Sequence, residues 1–273
     1  MTVRELFEYF LKDAHWVNRE TTIDNIHFGD ENTQVIKVGT GWSACAANLQ
    51  AAAEGGCNLF ISHELPFGWE RRNDVQALPS YQKCVRILQE NNMVEMNLHD
   101  TWDHYPGIGI RDGFAKLLGL GELVQELDYI HPGQTAVTTG GKSLGIYRIP
   151  PTKASDFAKI MCRRMAAVGA PGLCLNGDTE QIVDKVAIGV GCHVPSLEAF
   201  NAGAQLLVDV YDRHSQERSR IPLAECDGIS LVTVEHSMAE TYAMKLMAEH
   251  ITEKFGIEAI YYHNEPLGTY YTP

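Results

Sequence analysis

Nowhere in the 273 residues is there an apolar run of the length that spans a bilayer. The first ten residues interrupt their apolar positions with Arg4, Glu5 and Glu8, so they lack the continuous core of a secretory signal. The expectation is a cytoplasmic chain with no membrane partner. Positive charge is scarce. Lys and Arg number 22 against 35 Asp and Glu, and the formal charge of −13 repels polyanions over most of the surface. Nucleic acid is therefore not expected as a principal partner, although Arg71, Arg72, Arg163 and Arg164 leave room for a local basic pocket. The seven cysteines are odd in number and show no Cys-x-x-Cys spacing, which excludes a disulfide frame or a zinc knot and fits reduced thiols. A P-loop is missing as well. The nearest stretch, TGGKS at 139–143, precedes a strand instead of a helix, so any nucleotide would have to be held by other groups. Low-complexity segments and a solenoid period are absent.

What is present is an ordinary globular composition, 45 % hydrophobic and 21 % charged, with a mean hydropathy of −0.17. The length calls for one large or two modest domains. Strands are expected at 34–39, 57–62, 94–98, 144–149, 173–176, 185–190, 229–234 and 257–262. Helices are expected at 43–54, with Ser43 as N-cap and Gly55-Gly56 as stop, and at 80–91, 107–119, 155–168 and 237–255. Pro150-Pro151 should close the strand before them, and 131–142 is turn-rich. Alternation of this kind predicts an α/β fold of two related units with largely parallel sheets. The expected division is a metal-binding domain built from both ends of the chain, 1–130 plus 225–273, around a second α/β unit at 131–224. The stretch 186–212 loosely resembles the centre of the first unit.

Three predicted strands run directly into a histidine with acidic company: His63-Glu64, His99 with Asp103 four residues on, and His236 with Glu240 four residues on. A lone His-x-x-x-Glu pair is usually a solvated helix face or a structural ion pair. Three such groups at strand ends carry more, because α/β sheets bind ligands beyond the carboxyl ends of their strands. If the three strands share one parallel sheet, the side chains converge. Spacing of i, i+4 puts His236 and Glu240 on one helix face. For His99 and Asp103 the following Pro106-Gly107 implies a loop or a single turn. Three imidazoles and three carboxylates suffice for two divalent ions, with Zn, Mn, Fe, Co or Ni favoured over copper(I) by N and O donors without thiolate. Metal-assisted hydrolysis is the natural chemistry of such a pair. Around this set, His104 is a candidate for orienting a ligand. Trp69, Trp102 and Tyr105 could line a pocket for a planar base or simply pack. Tyr211, Asp212 and His214 could approach the site, although a polar strand exit is the commoner reading.

These motifs also resemble those of one family. SHELPFGW at 62–69 is similar to its strand-end His-His-Pro-Leu motif, HDTWD at 99–103 to its His-Thr-Asn-Leu-Asp motif, and EHSMAE at 235–240 to its Gly-His-x-x-x-Glu motif. IDNIHFGD at 23–30 resembles its early Asp-Asn-x-Gly segment. The family is that of the NIF three-like proteins, often described as GTP cyclohydrolase I type 2 homologues. The resemblance implies a two-domain α/β protein in its short form, a dinuclear site with His63, His99, Asp103, His236 and Glu240 as ligands, and a toroidal hexamer. Glu64 stands where the family has a second histidine, which makes the site harder and more anionic.

Two functions follow as expectations. One is a metal-dependent hydrolase using a metal-activated water on a nucleotide-like, small phosphorylated or cyclic amide substrate. The other is a non-catalytic metal-binding, scaffold or regulatory protein. An open coordination position separates them, since catalysis needs one.

Overall fold

A computed structural model of the chain describes residues 1–64, 76–127, 142–191, 195–211 and 228–263. They fall into two compact units, 1–64 with 76–105 and 243–263, and 106–127 with 142–191, 195–211 and 228–242. The second unit takes in more chain than the expected 131–224, because β5 (Leu123–Leu127) pairs with β6 (Leu144–Lys153) and β10 (Ser230–Glu235) lies between β9 (Leu206–Tyr211) and β7 (Cys174–Asn176).

The first unit opens with α1 (Val3–Leu11), started by a reciprocal box in which Thr2 accepts from the Glu5 amide at 3.1 Å and Glu5 accepts from the Thr2 amide at 2.8 Å. Its sheet runs β1 (Asn25–Phe28), β4 (Val94–Asn97), β3 (Leu59–Glu64), β2 (Lys37–Ser43), β11 (Glu258–Tyr261). The last four are parallel and β1 is antiparallel to β4. Beyond the expected 34–39, β2 continues through Gly39-Thr40-Gly41 to Ser43, so Cys45 rather than Ser43 occupies the N-cap of α2 (Ala46–Glu54). Phe60 of β3 explains the two glycines, since a Cβ at Gly39 or Gly41 would come within 2.9 Å of its ring. Phe60 packs with Leu49 and Ala52 of α2 and with Cys84, Ile87 and Leu88 of α3 (Pro79–Glu90).

The sheet of the second unit runs β5, β6, β8 (Ile182–Gly189), β9, β10, β7, with β8, β9 and β10 parallel and the strands outside them antiparallel. Pro150-Pro151 does not close β6. The prolines lie where the β6–β8 register shifts, between Arg148 and Thr152, and past the last residue paired with β5, so no ladder donor is demanded of them. One face of this sheet packs on α5 (Ile110–Leu118) and α6 (Ala154–Met165) through Phe114, Phe157 and Met161. The other carries α7 (Ser196–Asn201) through Ala199. Arg163 and Arg164 lie on the exposed side of α6, and Arg164 covers Gly119.

The long helix α8 (His236–Phe255) starts in the second unit and ends in the first. Within the first unit its carbonyls at Ala243 and Met244 accept from Trp102 Nε1 at 3.2 Å and Thr40 Oγ1 at 2.8 Å. Among the described residues no helix is long and apolar enough to cross a membrane, and five free cysteines carry no disulfide.

Candidate metal centre

β3 and β4 lie side by side in the first sheet, so the chain delivers His63 and Glu64 beside His99. His99 is the N-cap of a four-residue helical turn, α4 (Asp100–Asp103), whose end carries Asp103. The single turn expected there is what forms. The two imidazoles stack, 4.5 Å between centroids and 8° between planes. Each ring has one nitrogen held by the protein. His63 Nδ1 faces the Leu98 carbonyl at 3.3 Å, which fixes a proton on Nδ1, and its Nε2 lies 3.6 Å from Asp103 Oδ1. His99 Nδ1 donates to Asp100 Oδ1 at 3.0 Å, and its Nε2 lies 3.8 Å from Glu64 Oε1.

The turn is held from several directions. Asp24, 5 % exposed, accepts from three consecutive amides: His99 at 2.6 Å and Asp100 at 2.8 Å on Oδ1, and Thr101 at 2.8 Å on Oδ2. Three N–H groups of a helix start are thereby satisfied by one buried carboxylate. Asp100 also accepts from the Thr22 hydroxyl at 2.7 Å, and its carbonyl accepts from Trp16 Nε1 at 3.1 Å. Behind His63, Asn97 Nδ2 donates to the His63 carbonyl at 2.5 Å. Burial opposes a charge on His99, yet the Asp103 carboxylate, the bond to Asp100 and the Glu64 carboxylate outweigh it and hold the imidazolium well above the usual histidine range. Burial likewise opposes the Asp100 charge, and its bonds to His99 and Thr22 still hold it below the usual carboxylate range. A cluster with this balance draws a cation, either a proton or a metal ion.

In the second unit β10 ends at Glu235 and α8 begins at His236. His236 Nε2 and Glu240 Oε1 meet at 2.9 Å across one helical turn, and Glu240 is 1 % exposed. Glu235 is spent on the helix start, accepting from the Met238 amide at 3.1 Å and the Ser237 hydroxyl at 2.5 Å. Beyond the end of β8, Gly191 has φ +55° and turns its bare face to this pair, where a Cβ would lie 3.8 Å from Glu240 Oε1 and 3.9 Å from His236 Nε2. A small residue there keeps room in front of the two donors.

The donors fit a divalent ion. His63, His99 and Asp103 each offer an atom within 4.8 Å of the others, and His63 Nε2 and Asp103 Oδ1, 3.6 Å apart, come near the roughly 3.0–3.4 Å that separates two donors bound at about 2.1 Å to one ion. Imidazole and carboxylate without thiolate is the donor set of Zn, Mn, Fe, Co or Ni. The three strand ends do not share a sheet, since β3 and β4 belong to the first sheet and β10 to the second. Of the two alternatives for Trp102 and Tyr105, packing is the one seen. Trp102 is fully buried, stacked on Tyr105 at 4.8 Å and edge-on to Phe10 at 5.8 Å. His99 is oriented by Asp100. Trp69, Arg71, Arg72, Asp212, His214 and the side chain of Tyr211 lie outside the described residues. Sequence reasoning passed over Asp24, Asn97, Asp100 and Gly191. For Asp24 and Asp100 the signal was their place inside two of the quoted motifs.

A Treponema pallidum protein named GTP cyclohydrolase 1 type 2 homolog is 24 % identical over 289 residues, covering 96 % of this chain and 98 % of its own. A Pseudomonas aeruginosa protein of the same name is 24 % identical over 229 residues, covering 84 % and 83 %. In fold the chain matches a Staphylococcus aureus protein with a TM-score of 0.77 at 20 % identity, covering 100 % of this chain and 99 % of that one. The family model of Duf34/NIF3 (NGG1p interacting factor 3) matches residues 1–266, and the chain therefore belongs to that family.

Proposed function

We propose that the chain is a metal-dependent hydrolase that takes two divalent ions, with His63, Glu64, His99 and Asp103 as donors in the first unit and His236 and Glu240 as donors in the second. Its substrate is nucleotide-like, or a small phosphorylated or cyclic amide compound. One observation carries the reading: His63 and His99 each have Nδ1 engaged by the protein, which turns Nε2 toward a carboxylate, Asp103 for His63 and Glu64 for His99. Divalent ions bound there would supply a water of lowered pKa and a Lewis acid for a phosphoryl or carbonyl oxygen. The chain's own part is positioning. Leu98 and Asp100 fix the tautomers, Asp24 fixes the turn that presents His99 and Asp103, and Gly191 keeps the face of His236 and Glu240 clear. Glu64, Asp103 and Glu240 bring three negative charges, a hard anionic set that suits Mn, Fe or Zn. The names of the two bacterial relatives make GTP the first substrate to try. A homohexamer belongs to the same reading, by the resemblance of the motifs.

The test is metal content by elemental analysis of untagged protein, with His63→Ala as control, followed by turnover of GTP, other nucleotides and phosphoesters. About two ions per chain with turnover, both lost in the variant, supports the proposal. Metal without turnover of any compound moves the reading to a non-catalytic metal-binding protein. Protein that stays empty after incubation with Zn, Mn, Fe, Co and Ni removes the metal reading altogether.

A further inference from the structure

On the sheet face opposite His63 lies an acid that the proposed chemistry does not use. Side chains alternate along β3, so Ser62 points away from the His63 side, and its hydroxyl donates to Glu95 Oε1 at 2.8 Å. Glu95 sits in the middle of β4 with no exposed surface. Its register partners are Phe60 on β3 and Phe28 on β1, so the carboxyl group leaves the sheet between two aromatic positions. Among the described residues Glu95 Oε2 has no hydrogen-bond partner. Two residues on, and hence on the same face, Asn97 is also without exposed surface. Its Nδ2 donates to the carbonyls of His63 at 2.5 Å and Ser62 at 3.4 Å, while its Oδ1 likewise has no partner among the described residues.

Neighbouring positions of one strand face thus carry two buried acceptors, and what they lack in common is a donor. An ionised Glu95 would be a buried charge with one hydroxyl bond, and among the described residues no cation acts on it, which is the costliest state for such a group. A protonated Glu95 supplies the missing O–H. We infer that Glu95 is kept as a neutral carboxylic acid whose O–H donates to the Asn97 side-chain oxygen, locking the Asn97 amide N–H onto the His63 carbonyl. The lock has a direction. Were the Asn97 amide turned over, its oxygen would face the His63 carbonyl and its NH2 the acid, so the acid proton decides which way the amide points. Burial raises the Glu95 pKa to about 8, which agrees with a proton retained at neutral pH. Glu95 and Asn97 are then positioning residues that hold His63 from the far side of the sheet. That role rests on the metal reading of His63, whereas the protonation does not.

The test separates the two. Infrared spectra of the metal-free full chain near neutral pH should show the carbonyl stretch of a protonated carboxyl group, and Glu95→Gln should remove it. Gln offers an N–H where the acid offers O–H, so Glu95→Gln should melt at or above the wild-type temperature and bind zinc within about twofold of wild type. Asn97→Ala and Glu95→Ala should weaken zinc binding about tenfold or more, because the peptide carrying His63 is released. Absence of the protonated-carboxyl band, or a Glu95→Gln variant as unstable as Glu95→Ala, would overturn the inference. Asn97→Ala binding zinc as wild type does would overturn the positioning role alone. A wild-type chain that takes up none of Zn, Mn, Fe, Co and Ni would end the metal reading and with it the positioning role, while the infrared band would still establish the buried acid.

Discussion

The two units use the same spacing in different ways. His99 and Asp103 are four residues apart on a turn of one helical cycle, and His236 and Glu240 are four residues apart at the start of a twenty-residue helix. The long helix supplies its own geometry, and its histidine and carboxylate close on each other at 2.9 Å. The short turn cannot stand alone, because a single turn fixes several dihedrals for one hydrogen bond. It is propped by Asp24, Thr22 and Trp16, and Asp100 takes the His99 Nδ1 proton at 3.0 Å while Asp103 stays 3.8 Å away. An i, i+4 pair is thus no site by itself. What surrounds it decides whether the donors turn on each other or outward.

If the short turn depends on outside support, Asp24→Ala should give the largest effect. Three buried amides lose their acceptor at once, and urea unfolding should show a loss of about 2–4 kcal/mol. A loss below about 1 kcal/mol would mean the turn holds itself, and the contrast with α8 would collapse.

A second effect concerns the sheet beneath the first site. With its pKa at about 8 in the folded chain against an ordinary 4.5, Glu95 keeps a proton that the unfolded chain releases between those values. Its contribution is intact below about pH 4.5 and is lost as pH rises toward 8. The stability of wild type relative to Glu95→Gln should therefore fall by about 1.4 kcal/mol per pH unit across that window and level off above it. Parallel stability curves for the two proteins would contradict the buried acid.

Asp100→Asn tests orientation instead of stability. An amide is a weaker acceptor for the His99 Nδ1 proton, and zinc affinity should drop about 10–100-fold by competition with a fluorescent chelator, with the fold retained. The smallest change is expected from Glu235→Ala at the start of α8. There the helix carries its own geometry, and the loss should be near 1 kcal/mol. If Glu235→Ala cost more than Asp24→Ala, the assignment of which site is self-supporting would be reversed.

Much of this was legible in the sequence, and the reason is physical. His63, His99 and His236 stand where strands end, with Asp103 and Glu240 four residues on from the last two, and there a polar group shows as an interruption of apolar pattern. Their supports were harder to find. Asp24 reaches the turn from 75 residues away, so no local spacing betrays it. Glu95 and Asn97 alternate with Val94 and Met96 as solvent-facing residues of a half-buried strand would, yet all four are buried because both faces of β4 are covered. The run through Pro150-Pro151 escaped because proline stops a strand only where a ladder bond is needed. Nor does a sequence say which sheet a strand joins, and β10 went to the second.

Trp16 and Trp102 grip the ligand turn from either side, one donating to the Asp100 carbonyl and the other rooted in α8 one residue before Asp103. Both indoles are shielded from water, at 5 % and 0 % exposure. Whatever loads or strains that turn alters the surroundings of two chromophores at its base. The chain carries its own optical gauge, in which uptake of an ion can be followed by intrinsic fluorescence without a dye or label.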